Sequence, residues 1–193
     1  MTTESPAKVT DRKFGAVYAL SDHAGFWQRL LIDLVDFSLV GAVWLVLTWL
    51  GEQAGLPASI ARLAAVLLAW GYLAALKITP RGTLGYRLLH VKLVDLQGNS
   101  VQLWKASLRF LLLFLGPANF LFDIFWLTSD PNRQTLRDKI AGTYVIREHA
   151  VPVDRGPITY PMYFVGSLSF VIPEVLRRDE KAAGSAGKPP EQA

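Results

Sequence analysis

Three charged side chains stand four and three residues apart in an otherwise apolar run. They are Arg29, Asp33 and Asp36, within residues 25–50 (GFWQRLLIDLVDFSLVGAVWLVLTWL). A helix advances about 100° per residue, so these spacings return to one face, within an arc of roughly 60°. Asp36 lies about 10 Å further along the axis than Arg29. A carboxylate at mid-span costs about 2.5–3.5 kcal/mol to insert, so a second group must make Asp36 tolerable. Two chemistries fit such a residue. It can bind a cation or proton and line a polar path, or it can form an ion pair that fixes helix orientation and docks a polar segment. Arg29 and Asp33 stand at i,i+4, which suits a local pair. Three more charged residues lie beside apolar runs: Arg87, Arg109 and Asp138. Asp138 facing Arg29, with Asp36 meeting Arg109 or Arg87, would form a charged mouth. Such a cluster tolerates burial only when paired and hydrogen-bonded. Asp123, near the end of an apolar run, reads as a snorkelling or capping residue.

Other chemistry finds little support. The chain has no cysteine, which excludes disulfides, thiolate zinc sites and cysteine nucleophiles. His23, His90 and His149 are scattered without ligand spacing, so no metal is expected. Gly82-Thr-Leu-Gly-Tyr-Arg87 lacks the Lys-Ser/Thr of a phosphate loop and has no strand before its first glycine. Nothing pairs a nucleophile with a base, so no enzyme and no cofactor are expected. The net charge of +4 sits beside apolar runs, which suits headgroups and topology rather than nucleic acid.

The elements that must position these residues follow from hydropathy. Of 193 residues, 51% are hydrophobic and 11% aromatic, and the mean hydropathy is positive, which fits a small integral membrane protein. Residues 1–24 read as a flexible cytoplasmic leader with a short interfacial piece at 14–20. Span one covers about 30–50, bracketed by Trp27 and Trp49 at a separation of about 33 Å. A turn with Gly51, Gly55 and Pro57 leads to span two at about 58–78, whose many alanines suit close helix packing. Residues 79–106 are basic, and His90-Val-Lys-Leu-Val-Asp95 alternates like a strand. Turn residues 96–99 and a return at 101–103 would make a small hairpin. The third apolar region, 107–127, is broken by Gly116-Pro117. It is either one kinked span or two half-helices that turn back. Asp130-Pro131 and Thr135 with Asp138 are helix-start signals, and Gly142 ends that helix. Residues 142–148 read as a strand needing the hairpin's edge. Residues 160–176, cut by Pro161 and Pro173, read as an interfacial helix within an interfacial segment 151–178, and 179–193 as a disordered tail.

Lys and Arg are plentiful in the leader, in 79–106 and after 127, and absent from 51–59. Tight basic loops stay cytoplasmic. The N-terminus is therefore expected inside and the first turn outside. The third region is expected to turn back rather than cross, which also brings 142–148 to the hairpin.

Four pieces then line up: Gly25-Phe-Trp-Gln-Arg29 with Asp36 seven residues on; Gly82-Thr-Leu-Gly-Tyr-Arg87 followed by Val91-Lys-Leu-Val-Asp95 and Gly98; Arg109; and Arg133-Gln-Thr-Leu-Arg-Asp138-Lys-Ile-Ala-Gly-Thr143. Over about 25–147 the chain resembles the RDD family of small bacterial membrane proteins. Arg29, Asp36 and Asp138 match the arginine and two aspartates for which the family is named; Asp33 is an addition. A His or Gly often precedes the second aspartate in the family, where this chain has Arg137. The resemblance implies a multi-pass protein of the bacterial inner membrane, with transport of a small ion or solute as the usual suggestion. The expectation is an all-α membrane protein, with two transmembrane helices, a broken third apolar region and a small cytoplasmic β element. Residues 25–150 would be its membrane domain. Expected partners are the lipid bilayer and either further copies of the chain, in a homo-oligomer, or a membrane partner protein. The alternative to transport is a non-catalytic accessory or scaffold protein whose charges are structural.

Overall fold

A computed structural model describes residues 14–115, 130, 132–165 and 168–177. Its first helix, α1 (Phe26–Gln53), runs 28 residues, about 42 Å at 1.5 Å per residue. It starts where the Gln28 side chain accepts from the Gly25 amide at 3.1 Å. It ends in a turn where Gly55 takes φ +65°. The second helix, α2 (Ala58–Trp70), continues through a π turn (Gly71–Ala75) and a 3-10 turn (Leu76–Ile78). The two helices touch closely where α1 ends and α2 begins: a Cβ on Gly51 would lie 2.9 Å from the Cβ of Ala61.

Both helices are long and apolar enough to cross a bilayer, yet only 11% and 22% of their most apolar windows are buried within the chain. The core helix of a soluble protein would hide that surface. Here Leu34, Leu45, Trp49, Leu63 and Leu67 all stand exposed. A contiguous apolar surface of this extent belongs in contact with lipid. The protein is a membrane protein with two long apolar helices.

The remaining elements gather at one end of the helix pair. After the turn at Gly82 comes α3 (Leu84–Leu88), then β2 (Val91–Asp95), α4 (Leu103–Leu112), α5 (Leu136–Ala141) and β3 (Thr143–Arg147). β2 and β3 are antiparallel, with Leu93 opposite Val145. Ala24, Ile32, Tyr86, Val91, Leu93, Val101 and Val145 form a core joining the base of α1 to this ladder. A second core, of Leu73, Ala74, Ala106 and Phe110, joins the end of α2 to α4. On its other side α4 exposes Leu103, Trp104 and Leu111.

The chain carries more sheet than expected. The leader is not wholly flexible: β1 (Phe14–Val17) pairs antiparallel with β4 (Asp154–Thr159), and His23 bridges to Ile146. The stretch expected as an interfacial helix forms β5 (Met162–Val165), β6 (Leu168–Val171) and β7 (Glu174–Val175), with β5 paired to β6 and β7 to β4. Pro161 and Pro173 bound a run rich in β-branched and aromatic residues, and both features favour strand over helix. The expected return strand at 101–103 is also corrected. Only Val94 bridges Ser100, and Leu103 opens α4. The Asp95 carboxylate ties back the amides of Gln97 and Asn99 at 3.0 and 2.8 Å, making a compact loop closed by Gly98 at φ +86°. The Gly116-Pro117 break and Asp123, and with them the choice between crossing and turning back, lie outside the described residues.

Candidate functional site

Asp138 sits in the first turn of α5 and is fully buried. Its amide bonds the Thr135 hydroxyl at 3.2 Å, and its Oδ2 accepts from the Thr135 amide at 3.4 Å, completing a capping box. Gly142, left-handed at φ +60°, closes the helix. Two arginines meet on this carboxylate. Arg29 Nη1 donates to Oδ2, and Arg109 Nη1 donates to Oδ1. Each guanidinium makes further bonds, Arg29 through its other nitrogens and Arg109 through the same Nη1. Arg29 reaches the carbonyls of Ala24 at 3.0 Å and Arg133 at 3.1 Å, and Arg109 reaches the Thr143 hydroxyl at 2.7 Å. Burial alone would raise the Asp138 carboxyl. Arg109 and then Arg29 more than offset it, so the group titrates well below the ordinary carboxylate range. Arg109, expected beside Asp36, is therefore committed to Asp138. It rises from α4, and α4 packs against α5 rather than against the middle of α1.

Asp36 is fully buried as well, on the face of α1 against α3. Its Oδ1 accepts from the Tyr72 hydroxyl at 3.0 Å and the Gly85 amide at 2.9 Å. Its Oδ2 accepts from the Thr83 hydroxyl at 2.7 Å and lies 3.5 Å from Lys77 Nζ. Neither Arg109 nor Arg87 is the partner: Arg87 Nε donates to the Arg81 carbonyl at 2.7 Å. Lys77 wins because it comes from the last turn of the apolar helix beside α1, whereas Arg87 points away from α1 toward the 79–82 turn. The approach is tight. A Cβ on Gly85 would lie 2.8 Å from the Ile32 carbonyl oxygen and 3.0 Å from Asp36 Oδ1.

Asp33 completes the α1 stripe. It pairs with Arg137 of α5 at 3.3 Å instead of with Arg29 one turn earlier. The polar stripe thus docks two segments: Arg29 and Asp33 hold the first turn of α5, through Asp138 and Arg137, and Asp36 holds the turn into α3. A neighbouring network locks the β elements. Buried Lys139 pairs with Asp130 and with Glu174 of the β7 strand, and Arg177 donates to Asn132 at 3.0 Å and to the Tyr18 carbonyl at 3.1 Å.

With that geometry the comparison with known families is decisive. The RDD family profile matches residues 23–142, well over half of the chain. The chain belongs to the RDD family. No curated protein and no solved structure matches it. The RDD match begins at His23 and ends at Gly142. It therefore spans both apolar helices, the α3–β2 segment and the whole charge network of Arg29, Asp36, Arg109 and Asp138.

Several residues of the RDD network escape sequence reasoning. Thr83 and Tyr72 are neutral and carry no local signal. Lys77 reads as the interfacial end of a span. His23 reads as part of the leader, yet it is buried, packed edge-on to Tyr18 and Tyr144, and neither ring nitrogen has a hydrogen-bond partner among the described residues. Burial, then Arg177, Arg29 and Arg133, push its imidazole down to about 4. The one available signal for Lys77 was its position. It is the sole charge within 63–78, and it falls where a chain leaving the membrane passes back beside Asp36.

Proposed function

We propose that this RDD protein is a non-catalytic accessory membrane protein, in which the family charges clamp a water-facing β-containing module onto a pair of membrane helices. One observation carries the reading. An ionised carboxylate offers about four acceptor positions. At Asp36 all four are taken, by Tyr72, Gly85, Thr83 and Lys77. A cation or proton would have to displace a partner to reach it. At Asp138 three of the four are taken, by Arg29, Arg109 and the Thr135 amide. Buried ion pairs of this kind fix geometry more than they add stability. No residue of this network is assigned a catalytic role. The basic leader and loops orient the protein with its N-terminus and β module in the cytoplasm of a bacterial cell and its first turn outside. The exposed apolar faces of α1 and α2 then meet lipid and a further copy or a partner protein. α5 meets the base of α1 through Arg29 and Asp33 and packs against α4, which keeps it on the same side as α3.

A transport reading is favoured by a single feature. Lys77 stands 3.5 Å from Asp36, the longest contact in that shell, and can exchange with a passing cation. Purified protein in liposomes separates the two readings. The structural reading expects no proton, sodium or solute flux, and Asp36→Asn lowers the melting temperature. Flux that Asp36→Asn abolishes while melting stays unchanged would establish transport.

A further inference from the structure

Beside the charge network lies a cleft of about 410 Å³, between the end of α2, the 79–82 turn, α3 and β2. Its volume lies within the range of small-ligand sites, roughly 300–1,000 Å³. Four cations line it, Lys77, Arg81, Arg87 and Lys92, against one acid, Glu148. Two of the four are held in place before any ligand arrives. Arg87 Nε is fixed on the Arg81 carbonyl at 2.7 Å, which steadies its guanidinium in the lining. Lys77 is steadied by Asp36 at 3.5 Å and by the face of Tyr86, 5.0 Å from the ring centroid. The turn that brings Arg81 into the lining closes from the Gly82 amide to the Thr79 carbonyl at 3.1 Å, with Gly82 at φ +62°. Glu148 lies 3.8 Å from His90 across the rim, on exposed side chains. With Lys77 paired to Asp36, three cations still face one acid, an excess that favours a compact, multiply charged oxyanion in a concave site, and guanidinium forks match the geometry of phosphate.

We propose that this cleft binds a phosphate group. The cleft opens at the terminal turn of an apolar helix, so the phosphate can come from an anionic lipid headgroup or from a soluble phosphate compound. Both present the same chemistry to Arg81, Arg87 and Lys92. The inference stands whether the protein is an accessory or passes a solute.

The test uses the full chain, purified and placed either in nanodiscs or in neutral detergent. One arm compares the melting temperature and native-mass-spectrometry lipid retention in phosphatidylcholine discs with and without phosphatidylglycerol. The other titrates inorganic phosphate and glycerol phosphate in detergent. Arg81→Gln with Lys92→Gln is the test variant, since neither side chain touches the Asp36 or Asp138 networks. Arg62→Gln, at the opposite end of α2, controls for loss of a cation elsewhere on the chain. Binding in either arm that the double variant weakens about tenfold and Arg62→Gln leaves unchanged supports the site. Binding in the disc arm alone identifies a headgroup, and binding in the detergent arm identifies a soluble phosphate. No binding in either arm, or equal loss in the Arg62→Gln control, overturns it.

Discussion

Asp138→Asn is the sharpest perturbation of the charge network. The substitution is nearly isosteric and keeps an oxygen for the capping box, but it removes the single negative charge shared by Arg29 and Arg109. The carboxylate is fully buried, and the two arginine side chains are only 11% and 13% exposed. Solvent therefore screens little of the loss. Breaking a buried pair by removing one partner typically costs about 3–5 kcal/mol, a large share of a stability of about 5–15 kcal/mol. For a chain of this size that corresponds to a fall in melting temperature on the order of 10 °C. Asp33→Asn is expected to cost less, about 1–2 kcal/mol, because the Asp33 carboxylate is 19% exposed and its ion pair with Arg137 is 3.3 Å long, where the Asp138 carboxylate is fully buried between two arginines. The assay is thermal unfolding of the purified protein in one detergent, with expression level as a second readout. Adding Arg109→Met to Asp138→Asn is expected to restore part of the loss, because it removes one of two buried cations left facing each other. A simple exchange of Arg29 and Asp138 is expected to fail, since it would set the new arginine against Arg109. Asp138→Asn melting within a degree or so of the parent, or Asp33→Asn proving the more damaging, would refute the reasoning.

His23 gives a pH dependence with a definite sign. Its folded value, about 4, lies below the unfolded value of about 6.5, so the unfolded chain binds the extra proton between them. The neutral ring's contribution, about 3 kcal/mol, is present above pH 6.5 and lost as pH falls toward 4. His23→Phe, which keeps the packing on Tyr18 and Tyr144, is expected to flatten melting temperature across that window; an unchanged slope counts against it. Asp138, whose folded value is depressed, adds loss only as pH falls below about 4. Gly85→Ala would set a methyl 2.8 Å from the Ile32 carbonyl and push α3 off α1. A loss of about 1–3 kcal/mol is expected, and near-parent melting would show that the contact is looser than described. Thr83→Val leaves Asp36 without its 2.7 Å donor, a loss of about 1.5–3 kcal/mol read by the same melt. In the cysteine-free background, Gln53→Cys and Ser100→Cys are expected to label from opposite faces of sealed vesicles. Labelling from the same face would break the proposed topology.

Hydropathy alone identified both long helices and placed their ends within a few residues, because lipid imposes a length and an apolar content that leave little freedom. The spacing of Arg29, Asp33 and Asp36 likewise marked one helical face as the place where charge must be met. Thr135, Asp138 and Gly142 bounded α5 through local capping chemistry. What the spacing left undecided was who meets whom. Asp36 takes Lys77 and three neutral donors, and Arg109 turns to Asp138, because α4 packs on α5 while the 77–85 segment folds back along α1. Those placements depend on contacts between residues tens of positions apart. The strands at both ends show the same limit. Phe14–Val17 looked like a leader because its pairing partner, Asp154–Thr159, lies at the far end of the chain. The apolar run after Tyr160 looked like an interfacial helix because its strand partners are visible only once folded. Periodicity reports a residue's own face; only the tertiary structure supplies the opposite one. Asp36 is where that difference matters most: from the chain it reads as a possible cation or proton site or a structural pair, and in the fold its acceptor positions are met by Tyr72, Gly85, Thr83 and Lys77.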